Sequence, residues 1–169
     1  MKSIKLFLLL ILVFLIACLF AWPVIESNDF QCKKEQEFNT PINNIWSYTN
    51  EINNIEKRLP KITSVQLLDS TSTIIKFKAK THSGQWFIMQ SILTSDTTRS
   101  LHFLETSFGY TATWYYTIRD LGNDQCKLYV TEKSQLKNYW LKLLLLIAGR
   151  DIIIQEEIRG IQWMAGENQ

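Results

Sequence analysis

Residues 125–167 read QCKLYVTEKSQLKNYWLKLLLLIAGRDIIIQEEIRGIQWMAGE, and within them the hydrophobic period changes. In 125–133 Leu128 and Val130 fall on one face, the period-two alternation of a strand with one buried side. From about Asn138 the repeat lengthens. Ile147, Ile154, Ile158, Ile161 and Ala165 recur at the spacing of one stripe on a long amphipathic helix, locally weakened at Gly149 and Gly160. A strand that gives way to a terminal helix sets the frame for everything upstream.

Working back from residue 125, strand-like segments separated by turn signals fill the chain to residue 62. They are Thr111–Asp120, Ser100–Ser107, Gln85–Thr94, Thr73–Thr81 and Ile62–Asp69, with Gly122-Asn123-Asp124, Phe108-Gly109 and Ser83-Gly84 as turns. In Thr73–Thr81 the alternation is clean: Ile75, Phe77 and Ala79 on one face, Lys76, Lys78 and Lys80 on the other. Gln85–Thr94 is apolar on both faces, so its inward set stays open between Trp86, Ile88, Ile92 and Phe87, Met89, Leu93. Before the strands, Thr40-Pro41 opens two short helices broken near Thr49–Asn50, the second ended by Pro60. A first strand covers about Gln31–Asn39. The order β-α-α-β-β-β-β-β-β-α predicts an α+β fold: an antiparallel meander with a C-terminal helix across it.

The N-terminus is of another kind. Leu6–Ile25 is apolar at every position but Pro23, long enough for a bilayer-spanning helix. Lys2 and Lys5 precede it; Glu26 and Asp29 follow. That asymmetry predicts a single-pass anchor with its N-terminus cytoplasmic and the domain extracytoplasmic. Leu15-Ile16-Ala17-Cys18 offers an alternative, a lipoprotein anchored at Cys18, and simple cleavage is a third. The expected division is an anchor or signal segment over 1–25, a linker over 26–30 and one domain over 31–169.

The whole chain has 18 basic and 16 acidic residues. Outside the N-terminal segment the two are equal in number, which argues against a nucleic-acid partner. With 6 Trp, 9 Phe and 6 Tyr, disorder is excluded. No Cys/His cluster has metal-ligand spacing, and the two histidines, His82 and His102, do not assemble a catalytic set. Neither a metal nor a cofactor is expected.

Four patterns in this order resemble the START-like, or SRPBCC, superfamily, in particular its polyketide cyclase/dehydrase and lipid-transport branch. They are FNTPINNIWSYTNEI (38–52), SVQLLDS (64–70), CKLYVTE (126–132) and GRDIIIQEEIRGIQWMAGE (149–167). The resemblance spans roughly 31–166. It departs at LPKIT (59–63), where the family often has Pro-x-Trp. It implies a helix-grip architecture: a curved seven-stranded antiparallel sheet wrapped round the C-terminal helix, with an apolar cavity between them. It also implies that the first strand pairs with the last. Cys32 and Cys126 would then lie some six residues, or roughly 20 Å, apart along the ladder, too far for a disulfide.

Strand parity then names the lining of such a cavity. Ile75 and Phe77 come from one strand, and Leu101 and Phe103 from another. Trp114 and Tyr116 are followed by Leu128 and Val130, and the helix adds Ile154, Glu157, Ile158 and Ile161. Glu105, Glu132 and Glu157 are acids that burial would make candidate proton donors, while His102 falls on the opposite parity from Leu101. Tyr139–Ala148, too short to span a bilayer, reads as a connection over the cavity mouth or as an interfacial patch. The expected function is a membrane-tethered binding protein for a hydrophobic small molecule or lipid. The alternatives are a cyclase- or dehydratase-type enzyme in the same cavity, and a structural domain with a filled core.

Overall fold

The computed structural model describes residues 2–25, 27–59 and 61–167. Helix α1 (Lys2–Ile25) precedes β1 (Asp29–Phe38) and α2 (Ile42–Asn50). A 3-10 turn (Ile52–Asn54) leads into the one-turn α3 (Ile55–Arg58). Then come β2 (Ile62–Ser70), β3 (Ile74–Thr81), β4 (Trp86–Ser95), β5 (Thr98–Thr106), β6 (Tyr110–Gly122) and β7 (Gln125–Leu136). Helices α4 (Tyr139–Ala148) and α5 (Ile152–Met164) close the chain. The fold is α+β, with one seven-stranded antiparallel sheet in the order β1-β7-β6-β5-β4-β3-β2. Its inner face carries α5 and the α2–α3 segment.

Local sequence explains the meander. Asn123 and Asp124 both take positive φ, 53° and 58°, the conformation of a two-residue hairpin turn whose twist matches its strands. Strict alternation in β6 and β7 then buries Trp114, Tyr116 and Ile118 against Leu128 and Val130. The parity left open in β4 is settled by its neighbours. Met89 pairs with Phe77 and Phe103, so Phe87 and Met89 point inward, and Trp86, Ile88 and Ile92 lie half-buried on the other side. Lys78 and Lys80 are exposed on the outer face, Lys76 half-exposed, with Lys78 Nζ 4.9 Å from the centre of the Trp86 ring.

Several expectations are corrected. The first strand begins at Asp29, inside the expected linker, because Asp29 and Phe30 already pair with Gln135 and Ser134. The long C-terminal helix is two helices. Gly149, at φ 102°, caps α4 and turns the chain before α5, so the stripe does not run through and Ile147 faces outward. Among the described residues, no helix is long and apolar enough to cross a membrane, and the spanning anchor expected over 1–25 is not supplied by them. In α1 the side chains of residues 7–18 are described without a break. Those side chains are exposed, Cys18 included. The side chains of Lys2, Lys5 and Pro23, with Glu26, Pro60 and the last two residues of the expected domain, lie outside the described residues.

The cysteines sit as the strand pairing requires. Cys32 is opposite Glu132 and Cys126 opposite Phe38, and both thiols are free.

Candidate functional site

The inner face of the sheet is apolar with two polar islands. The first grows from the β6–β7 ladder, where Trp114 faces Glu132 and Ala112 faces Ser134. Tyr110 Oη donates to Glu132 Oε1 at 2.6 Å, as does Ser134 Oγ at 2.6 Å, and Trp114 Nε1 donates to Tyr110 Oη at 3.1 Å. Both hydroxyls converge on one carboxyl oxygen, and Oε2 is left buried without a partner. Burial raises the Glu132 pKa above the usual carboxylate range, opposed by these hydrogen bonds. The same burial, with the Glu132 charge beside it, pushes the Tyr110 hydroxyl well above its ordinary value. A proton on Oε2 would point into the interior.

The second island joins three parts of the chain. Arg58 ends α3; its Nη1 donates to the carbonyls of Tyr48 and Thr49 at 3.0 and 2.6 Å, and its Nε lies 2.7 Å from Glu157 Oε1 of α5. Tyr116 Oη donates to the same Oε1 at 2.9 Å. Arg99, directly opposite Tyr116 on β5, lays its guanidinium 4.6 Å from the Tyr116 ring centre. Arg58 and Glu157 are wholly buried and Arg99 is 2% exposed. Burial, and next the charge of Arg58, lower the Arg99 pKa to about 10. Among the described residues Arg99 Nε and Nη2 and Glu157 Oε2 have no hydrogen-bond partner, and Arg58 Nε meets Glu157 Oε1 as an ion pair without hydrogen-bond alignment.

α5 is drawn onto this island by a close approach: a Cβ built on Gly160 would stand 1.8 Å from the carbonyl oxygen of Arg58. At its other end, Lys34 Nζ of β1 lies 2.7 Å from Asp151 Oδ2, which holds that carboxyl below its usual pKa and fixes the start of α5 over the sheet.

Of the residues named from parity, Phe77, Leu101, Phe103, Trp114, Tyr116, Leu128 and Val130 are buried on the inner face. So are Ile154, Glu157, Ile158 and Ile161 of α5, and Ile75 is half-buried. These residues pack as one hydrophobic core around the two islands, rather than standing back from an open cavity. Glu105 is exposed and outside this arrangement. His102 is on the outer face but half-buried, its ring between Ser100 Oγ at 2.8 Å and Thr113 Oγ1 at 3.2 Å, and burial lowers its pKa. It borders an open trough of about 700 Å³ across β1, β7, β6 and β5. Parity reasoning missed Arg58, Arg99, Tyr110 and Ser134. Three of them carried a signal: Arg99 is two residues before Leu101, Ser134 two after Glu132, and Tyr110 four before Trp114.

α4 closes the end of the grip. Asn138 Oδ1 caps it by accepting from Leu141 N at 3.0 Å, and Lys142 Nζ reaches back to Asn28 Oδ1 at 3.1 Å. The gap left between α4 and β1 is about 10 Å³, about the size of one water. Trp140, Leu144 and Ile147 face outward as a stripe. Tyr139 Oη donates to the Phe20 carbonyl at 2.8 Å and the Phe20 and Trp140 rings meet edge-on, so α1 lies against α4. Among the described residues, no cluster of His, Cys, Asp and Glu could hold a metal ion.

No protein-family model and no curated protein sequence matches this chain. Solved structures do. The Zhui aromatase/cyclase from Streptomyces sp. R1128 superposes with a TM-score of 0.69 at 10% identity, covering 82% of this chain and 94% of that one. A START superfamily protein from Mycobacterium smegmatis gives 0.60 at 15% identity, covering 79% and 98%. Norcoclaurine synthase from Thalictrum flavum, in complex with dopamine and hydroxybenzaldehyde, gives 0.62 at 12% identity, covering 83% and 88%. Identities this low speak for architecture alone: this chain shares a helix-grip architecture with these structures.

Proposed function

We propose that the domain binds a hydrophobic ligand with a polar end between the sheet and α5, at a membrane surface to which α1 tethers it. The observation that carries the reading is the set of buried, unpartnered polar atoms in an otherwise apolar interior: Glu132 Oε2, Glu157 Oε2 and the Arg99 guanidinium edge. An unpaired buried polar atom costs on the order of 1–3 kcal/mol, and a ligand that supplies partners recovers it. Apolar walls with a few convergent polar groups are the usual make-up of a small-molecule site. Entry requires movement, because the core side chains are packed together; α4, sealed over one end by Asn138 and Lys142, is the element placed to open.

The tether rests on the apolar composition of residues 6–25 and on the exposed side chains of α1 beside the apolar stripe of α4. A second reading, a domain whose interior is filled by its own side chains, is favoured by the same close packing. One experiment separates the two. Delipidated full-length protein is exposed to a membrane lipid extract, repurified and examined by native mass spectrometry. A stoichiometric retained molecule is expected; its absence leaves the filled-core reading. Resistance of the full-length chain to alkaline extraction from membranes tests the tether independently, and release into the supernatant would sink it.

A further inference from the structure

We infer that the polar end of the ligand is a carboxylate, held side-on by Arg99. This rests on the ligand-binding reading above and names the chemistry of that site.

The argument is one of charge and of shape. Arg58, Arg99 and Glu157 are all buried, and the charged or polar groups acting on Arg99 are Arg58, Tyr116 and Glu157. Two guanidiniums and one carboxylate leave one positive charge without a counter-ion, away from water. Glu157 is already engaged through Oε1 by Arg58 and by the Tyr116 hydroxyl. The first island does not pair with Arg99: Glu132 Oε1 is taken by Tyr110 and Ser134, and among the described residues Arg99 Nε and Nη2 meet no acceptor. A buried cation without a partner is costly enough that proteins pair it or neutralise it. With a pKa lowered only to about 10, Arg99 stays charged at neutral pH. Among the described residues nothing pairs with the Nε and Nη2 edge of Arg99, and a bound anion would.

The shape follows from which atoms are free. Nε and Nη2 are the two donors on one edge of a guanidinium, parallel and in one plane, and both lack partners in Arg99. That edge matches the two oxygens of a carboxylate in a bidentate pair. The Tyr116 ring 4.6 Å away holds the guanidinium plane, and the Tyr116 hydroxyl is itself tied to α5, so the fork is set before a ligand arrives. A monoanion brings the island to neutrality. A phosphomonoester, close to two negative charges at neutral pH, would overshoot it. The surrounding core offers an apolar body to the rest of the molecule, so the ligand class is an amphipathic carboxylic acid.

The test compares two probes on the full-length, delipidated chain: a long saturated fatty acid and the primary alcohol of the same chain length, with bound species quantified by native mass spectrometry. The acid is expected to bind at least about tenfold more tightly than the alcohol. Arg99→Met, which keeps the bulk and leaves Arg58 and Glu157 as a neutral pair, is expected to abolish the preference by weakening the acid alone. Equal affinity of wild type for acid and alcohol overturns the carboxylate while leaving a hydrophobic-ligand site in place. Unchanged acid binding by Arg99→Met overturns the role of Arg99. Binding of neither probe by wild type overturns this inference, and with the lipid-extract result it decides the reading beneath it. The wild-type comparison needs no variant, so a poorly folding substitution does not blunt it.

Discussion

Gly160 is a residue on which two physical rules give opposite signs. In a helix interior, Gly→Ala gains about 1 kcal/mol from propensity. Here the new Cβ would stand 1.8 Å from the Arg58 carbonyl oxygen and 2.6 Å from its carbonyl carbon, both backbone atoms that cannot swing away. The overlap prevails: Gly160→Ala should cost about 3 kcal/mol in urea unfolding, because α5 has to lift off α3. A stabilised variant would show that the approach is looser than this. Glu132 sets a second residue-scale expectation. Its pKa is raised in the fold, so the folded state holds the proton more tightly than the unfolded one. The resulting stability is present below the ordinary glutamate pKa of about 4.3 and is lost as pH rises through the elevated value. Unfolding free energies measured from pH about 4 to about 8 should fall for wild type relative to Glu132→Gln, which has no proton to lose. His102, whose pKa is lowered, contributes a slope of opposite sign in both proteins and cancels in the comparison. Parallel profiles for the two would remove Glu132 as the cause.

Elements were legible in the sequence to the degree that their periods were clean. β6 alternates as far as Ile118 and β7 throughout, and parity placed Trp114, Tyr116, Leu128 and Val130 on the face they occupy. β4 is apolar on both sides, and only the strands on either side of it decide its face. Arg99 shares the parity of Leu101 and Phe103, but arginine is so rarely buried that alternation alone reads it as a surface residue. Arg58 ends a single helical turn, too short for any period to place it. The C-terminal stripe misled for a different reason: Ile147 and Ile154 keep helical spacing across a break. That break is Gly149, at φ 102° and ψ 134°, a region open in practice to glycine alone. Gly149→Ala should therefore cost about 1–3 kcal/mol although it lies between two helices, where an alanine would otherwise be welcome. A neutral or stabilising result in thermal melts would mean that α4 and α5 can fuse into the single helix the stripe describes.

At the scale of the whole molecule, distant parts of the chain are tied without a covalent bond. The cysteines do not contribute one: Cys32 and Cys126 face different partners on the β1–β7 ladder, and burial raises both thiol pKa values, that of Cys126 to about 11. Melting temperature should be the same with and without reductant, and a drop in reductant would mean that the strand register differs from the one described. The tie that matters is the island of Arg58, Arg99, Tyr116 and Glu157, which joins the early helices, the middle of the sheet and the last helix. Its charge count predicts an asymmetry that pairwise geometry does not. Glu157→Gln leaves two buried guanidiniums in one island without its carboxylate and should cost about 3–5 kcal/mol. Arg58→Met removes one cation and leaves Arg99 and Glu157 balanced, so it should cost less, even though it loses the same ion pair and also takes the Arg58 donor from the Tyr48 and Thr49 carbonyls. Urea unfolding of the two variants, with the double variant to close the cycle, measures the difference. If the 2.7 Å contact between Arg58 and Glu157 were the whole of the matter, the two single costs would be alike. A larger cost for the glutamate means that this island carries net positive charge in the unliganded protein, the condition that makes an acid its fitting occupant.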